Sequence, residues 1–207
     1  MRSLVWIAVL SLFLITPRTG ASAEVTSVGK AADLRRALNV LFSEHVYLAT
    51  NATAAALGGR DADFTAVAWA LDANSLELSQ AIGSVYGKEA GEKFLAGWRK
   101  HIRFFVDYTK GVATKDRAKR EKAVADLHAY ATEFGVFLHA ANPNLPTVAV
   151  DGLVRAHVAA LTRAIDAQGA GKLMDAYKAI RAASIHSHTI ADPIAEAIVK
   201  QFPEMFR

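Results

Sequence analysis

The sequence predicts an all-α protein, a bundle of about six antiparallel helices arranged as three helical-hairpin repeats of 56 residues. Three observations lead to this prediction. Apolar residues recur at three- and four-residue spacing through most of the chain, and the alternation typical of strands is missing. Turns that contain glycine or proline interrupt this pattern. The chain also matches itself when it is shifted by 56 residues.

The helix boundaries are predicted from the turns. Gly58-Gly59 and Gly87 suit the left-handed conformation that often ends a helix. The segment 142–146, with two prolines, cannot continue a helix. Asp192-Pro193 suits a kink or a restart within the last helix. The predicted helices span residues 29–57, 61–85, 89–112, 115–140, 147–168 and 171–201.

The first 23 residues have the features of a secretory signal peptide. Arg2 precedes an apolar run from Leu4 to Ile15, and Ala21-Ser22-Ala23 is a small-x-small cleavage motif. We therefore expect residues 1–23 to be removed, and residues 24–207 to form one all-helical domain exported to the periplasm or the extracellular medium. A helix needs about 20 apolar residues to span a bilayer, so no membrane span is expected in the mature protein.

Composition excludes several classes of function. The chain has no cysteine, which removes thiol catalysis, thiolate metal sites, iron–sulfur clusters and covalently attached c-type haem. Its formal net charge of +4 includes Arg2 and Arg18 of the leader, and no basic tract suits nucleic acid. The Glu-x-x-His pairs of di-iron bundles and the common hydrolase and nucleotide-binding motifs are missing. We therefore predict no catalytic residues and a protein that is not an enzyme.

Two sets of polar residues follow the 56-residue repeat. One set consists of histidines on the odd-numbered helices, each in a similar apolar context, and the other lies on the even-numbered helices. Generic amphipathic periodicity is the alternative explanation for such a match. The first set is His45, His101 and His157, and the second is Asn74, Tyr130 and His186.

Four histidines lie on the apolar stripes of their helices, so their imidazoles are expected to face the interior. A buried imidazole needs polar partners, and converging imidazoles suit Zn²⁺ or Cu²⁺. A hydrogen-bonded polar layer that fixes helix register is the alternative. The predicted metal ligands are His45, His101, His157 and His186, with Asn74, Tyr108 and Tyr130 as the surrounding second shell of hydrogen-bond partners.

Three segments carry a resemblance to a family: residues 42–48, 98–108 and 201–206. They resemble an uncharacterised family of secreted bacterial helical-bundle proteins, some of which are labelled "copper amine oxidase-like". The resemblance implies that copper is relevant, but not the amine oxidase activity, because the Asn-Tyr-Asp/Glu motif of true copper amine oxidases does not occur. Relatives carry methionines shortly after the position of His186, where this chain has none.

These observations favour an exported, non-enzymatic helical bundle that binds copper or zinc through core histidines. A cell-envelope interaction or structural module is the second hypothesis, and it predicts an exposed apolar patch near Trp69 or Phe202. A small-ligand or haem carrier is the third, and it predicts an apolar cavity or facing histidines between helices. The sequence identifies no protein partner.

Overall fold

The computed structural model describes residues 29–207, and this part of the chain is all-helical, without strands. The predicted signal peptide, residues 1–23, lies outside the described residues. No helix among residues 29–207 is long and apolar enough to cross a bilayer. The helices are α1 (Lys30–Leu57), α2 (Asp61–Tyr86), α3 (Lys88–Ala113), α4 (Arg117–Ala141), α5 (Thr147–Gly169), α6 (Leu173–Gln201) and a terminal 3₁₀ helix (Pro203–Phe206).

The predicted all-α class and the six helices are confirmed, with boundaries shifted by two residues at most. Gly59 and Gly87, where α1 and α2 end, have positive φ angles of +65° and +89°, but Gly87 has an extended ψ of 161° in place of the left-handed helical conformation expected for it. The last helix begins at Leu173 and not at residue 171, because Gly171 has a φ of +69°. Within this helix, Pro193 is accommodated without a break.

The fourth helix begins at Arg117, two residues later than predicted, because the preceding turn has its own geometry. Lys115 takes a left-handed φ of +55°. Asp116 is the N-cap, and its side chain accepts a hydrogen bond of 2.9 Å from the backbone N–H of Lys119. The polar turn therefore uses two residues that the periodicity assigned to the helix.

The six helices form a closed ring in which each packs against the next and α6 packs against α1. Short turns join these packed neighbours, so consecutive helices run antiparallel. In addition, α1, α3 and α5 contact one another. The odd-numbered helices therefore meet in the interior, while the even-numbered helices occupy the grooves between them.

Two glycines allow neighbouring helices to approach closely. A Cβ atom on Gly91 of α3 would come within 2.7 Å of the carbonyl oxygen of Ser79 in α2. A Cβ atom on Gly135 of α4 would come within 2.7 Å of the carbonyl oxygen of Thr147 in α5. Because both neighbours are backbone atoms, a larger residue would force these helices apart.

The core consists of two apolar clusters along the length of the bundle. One contains Phe42, Phe94 and Phe134, and the other contains Val46 and Leu161. His45 follows Phe42 by three residues and immediately precedes Val46. The polar groups of the interior therefore lie where the two apolar clusters meet.

Candidate functional site

Three histidines converge in the interior, one from each odd-numbered helix. The ring centroid of His45 lies 5.4 Å from that of His101 and 6.1 Å from that of His157. The three side chains are nearly inaccessible, with residue exposures of 2%, 3% and 8% respectively. Their position at one level follows from the contacts among α1, α3 and α5. We call these residues the histidine cluster.

Aromatic side chains enclose the histidine cluster. The Trp98 ring lies edge-on to His101, with ring centroids 4.4 Å apart, and 4.8 Å from His45. Tyr130 stacks on His101 at 4.9 Å with an interplanar angle of 26°. Between these rings is a small cavity of about 20 Å³, lined by all three histidines. A space of this size holds one water molecule or one ion.

Several polar atoms around this cavity lack hydrogen-bond partners among residues 29–207. Both ring nitrogens of His45 are in this state, as are the Nδ1 atoms of His101 and His157. The Tyr130 hydroxyl and the Trp98 indole N–H also lack a partner there. An unpaired buried polar group costs about 1–3 kcal/mol, so such a concentration points to a partner that the chain itself does not supply.

Burial keeps these imidazoles neutral at physiological pH. Desolvation, with a smaller effect of His157, lowers the pKa of His45 to about 3. Desolvation, with a smaller effect of His186, lowers the pKa of His157 to about 4. The pKa of His101 is also well below its ordinary value, because burial and then the other two histidines outweigh the opposing effect of the Trp98 backbone carbonyl. Neutral imidazole is the form that binds metal ions.

The fourth predicted ligand, His186, lies outside the histidine cluster. Its Nε2 is 2.9 Å from the carbonyl oxygen of Leu153 in α5, and its Nδ1 is 3.1 Å from the Thr189 hydroxyl. Both ring nitrogens therefore have partners. His186 is close enough for its charge to lower the pKa of His157, which places it beside the cluster but not in it.

Of the three predicted second-shell residues, Tyr130 stacks on the histidine cluster, whereas Asn74 and Tyr108 form their hydrogen bonds with other residues. Asn74 donates hydrogen bonds to the carbonyl oxygen of Leu41 at 3.0 Å and to Glu44 at 2.9 Å. The Tyr108 hydroxyl donates to Asp166 at 2.9 Å. Tyr108 follows His101 by seven positions, which is about 10 Å along the axis of α3. The two residues therefore lie on the same face of α3 but at different heights in the bundle.

Trp98 is the site residue that the sequence argument did not select. It precedes His101 by three residues on the same buried face of α3, so its indole lies against the imidazole. The i, i+3 spacing to a buried histidine is the signal that identifies such a neighbour. Its unpartnered N–H adds a donor to the wall of the small cavity.

The histidine cluster differs in geometry from a site that already holds a metal ion. Among residues 29–207, no three His, Asp or Glu side chains are already arranged to hold one. A tetrahedral ion with metal–nitrogen distances of about 2.0–2.1 Å places imidazole centroids roughly 5 Å apart. The His45–His101 centroid distance of 5.4 Å is close to this value, whereas the His45–His157 distance of 6.1 Å exceeds it by about 1 Å.

Comparison with known proteins identified no matching family model, and no curated protein or solved structure with significant similarity. The family resemblance noted in the sequence therefore stays a prediction.

Proposed function

We propose that this protein binds a single transition-metal ion, copper or zinc, through His45, His101 and His157. The observation that supports this proposal is that three buried histidines, with four unpartnered ring nitrogens among them, line one small cavity. Three imidazoles are a known protein ligand set for zinc, and they leave a fourth coordination position open. Imidazole nitrogen also suits copper.

A bound ligand accounts for the unpartnered nitrogens of the histidine cluster better than a purely structural layer does. A layer that fixes helix register stabilises the fold when its polar atoms are paired. Here the ring nitrogens of His45 have no partner in the described part of the chain. Binding an ion would provide these nitrogens with a partner and stabilise the folded state by mass action.

The size of the cavity limits what it holds. About 20 Å³ accommodates a metal ion or a water molecule, but not a porphyrin between facing histidines. One water hydrogen-bonded to the imidazoles is the competing occupant, and it corresponds to the structural polar layer. We propose metal binding without catalysis in an exported protein, with His186 beside the ligand set rather than within it.

We also infer that the three hairpins are copies of one unit. The histidine cluster takes one residue from each proposed repeat. A second correspondence lies between the inner and outer helices. Asn74 donates to the carbonyl of Leu41, while His186 contacts the carbonyl of Leu153, and both members of these pairs are separated by two repeat lengths.

The interaction-module hypothesis has weaker support. Trp69 is 75% exposed, but single exposed apolar side chains are common on monomeric proteins. Phe202 instead packs against Tyr86, with ring centroids 5.7 Å apart. The unpartnered nitrogens of the histidine cluster are the less common feature, and therefore the better guide to function.

The test is thermal unfolding of the purified protein after chelation, repeated with Cu²⁺, Zn²⁺ or Ni²⁺. An ion present at 100 times its dissociation constant stabilises the fold by about 2.7 kcal/mol. For a domain of this size this corresponds to about 5–10 °C in Tm. We expect His101→Leu to abolish the shift, because it removes a ligand while keeping an apolar side chain of similar volume.

Two histidine variants serve as controls. His128→Ala removes a partly exposed imidazole outside the histidine cluster and should keep the full metal response. His186→Ala should also keep it, because both nitrogens of that ring are already engaged. The proposal is wrong if no ion raises the Tm of the unmodified protein, or if His101→Leu responds as the unmodified protein does.

A further inference from the structure

A second, larger pocket lies next to the histidine cluster and shares one residue with it. The pocket has a volume of about 280 Å³ and lies between α1, α2, α3 and α5. His45 lines both this pocket and the small cavity. From His45 to Ala56, the lining follows α1 over about 16 Å of helix rise.

The interior of this pocket is apolar. Phe105, Leu161 and Ile165 are buried lining residues. Three threonines also contribute, and their hydroxyls already donate hydrogen bonds. Thr50 donates to the carbonyl of Val46 at 2.8 Å, Thr109 to the carbonyl of Phe105 at 2.8 Å, and Thr53 to the side-chain oxygen of Gln168 at 2.7 Å. Because these donors are already used, the threonines add little capacity for binding a polar ligand.

One buried polar side chain in the lining remains free to bind a ligand. His45 is 2% exposed, and neither of its ring nitrogens has a partner among the described residues. The exposed lining residues include Asp61 and Lys110, so the pocket opens to solvent between the end of α3 and the start of α2. These two charges are of opposite sign, so the mouth does not select a charged ligand.

We propose that this pocket binds a small, uncharged, mainly apolar molecule whose single hydroxyl group lies against His45. The volume is about twice the 150 Å³ cavity that holds one benzene molecule, which predicts about ten to twelve non-hydrogen atoms. An elongated molecule fits best, because the pocket follows α1 from its buried histidine to the solvent. This site does not depend on the proposed metal, since His45 offers a hydrogen bond without any ion.

The experiment compares 4-propylphenol with propylbenzene, which differ by one hydroxyl group. Binding to the full-length mature protein is measured by isothermal titration calorimetry after chelation of metals, so the result is independent of the metal proposal. We expect saturable binding of both molecules with one site per chain. The phenol should bind about three- to tenfold more tightly, as one hydrogen bond to a buried group predicts.

Variants separate the pocket from its polar end. Ala56→Trp places a large side chain at the mouth and should abolish binding of both molecules. Ala129→Trp, at an exposed position of α4 that does not line the pocket, is the matched control and should bind both. His45→Phe should retain propylbenzene and lose the preference for the phenol.

The proposal fails if neither molecule binds saturably, or if Ala56→Trp binds as well as Ala129→Trp. Equal affinities of the phenol and propylbenzene for the unmodified protein would overturn the role of His45. Ala113→Trp blocks the mouth from α3, so it replaces Ala56→Trp if that variant does not fold. A metal-induced rise in Tm without phenol binding would contradict only this inference, and the reverse result would contradict only the proposed function.

Discussion

Lowering the pH should destabilise this protein through the histidine cluster. In the folded state the pKa of His45 is about 3 and that of His157 is about 4, because burial disfavours the imidazolium. In the unfolded chain a histidine has a pKa of about 6.5. Between these values the unfolded state binds more protons, so stability is fully present above pH 6.5 and decreases as the pH falls.

The size of the effect follows from the proton difference. Each proton taken up on unfolding lowers the free energy of unfolding by about 1.4 kcal/mol per pH unit. From pH 6.5 to 4.5, one such histidine contributes up to about 3 kcal/mol, and His45 and His157 together up to about 5 kcal/mol, with His101 acting in the same direction. Typical domains have only about 5–15 kcal/mol of total stability, so a large part of it is expected to be lost within this interval.

Urea unfolding of the chelated protein at a series of pH values measures this slope. His45→Phe should reduce the number of protons taken up on unfolding by about one. His128→Ala, outside the histidine cluster, is the control that shows how much a histidine outside the core contributes to this number. The pKa values of Asp72 and Asp151 are lowered by their hydrogen bonds to Arg99 and Arg155, so these carboxylates take up protons at a lower pH than ordinary carboxylates do. A total uptake below one proton between pH 6.5 and 4.5, unchanged in His45→Phe, would refute the reasoning.

Two further predictions concern stability at pH 7. His45→Phe should leave the free energy of unfolding of the chelated protein unchanged or raise it, because it removes two unpartnered buried nitrogens. A decrease in this free energy of more than about 1 kcal/mol would show that the nitrogens are paired in solution. Gly91→Ala should destabilise the fold, since the new Cβ atom would come within 2.7 Å of the Ser79 carbonyl oxygen. Gly152→Ala should instead stabilise it by about 0.5–1 kcal/mol, because alanine has the higher helix propensity and its Cβ atom would meet no other atom within 4 Å. Chemical denaturation of the two glycine variants side by side checks the second prediction, and equal effects would contradict it.

The helices were predictable because their determinants are local. Apolar periodicity identified each buried face, and Gly59 and Gly87 ended α1 and α2 through positive φ angles that glycine adopts without strain. The start of α4 was less predictable, since Lys115 is left-handed in the structure although nothing in its side chain favours that conformation. The errors lie in turns, where one residue's backbone decides the boundary.

The site was predictable only in part, because the apolar stripe of a helix predicts which side chains face the interior but not which side chains of other helices they contact. His45, His101 and His157 share a buried face and a level, and the contacts among α1, α3 and α5 bring them together. Tyr108 shares the stripe of His101, but it lies two turns further along α3 and pairs with Asp166. Periodicity alone cannot distinguish these cases, since it carries no information about packing between distant helices.

The two polar sets have the same 56-residue spacing, so spacing alone cannot say which of them binds a ligand. Hydrogen bonding separates two members of the outer set from the inner set. Asn74 and His186 reach backbone carbonyls of the adjacent inner helices, which is what a residue that fixes helix register does. Tyr130, the third member of the outer set, has no partner for its hydroxyl among residues 29–207 and lies against the histidine cluster. His45 reaches no partner in the described chain, although water would have paired with it in the unfolded state. An apolar side chain would fill the same position without that cost, so the imidazoles of the inner set are better explained by what they bind than by what they stabilise.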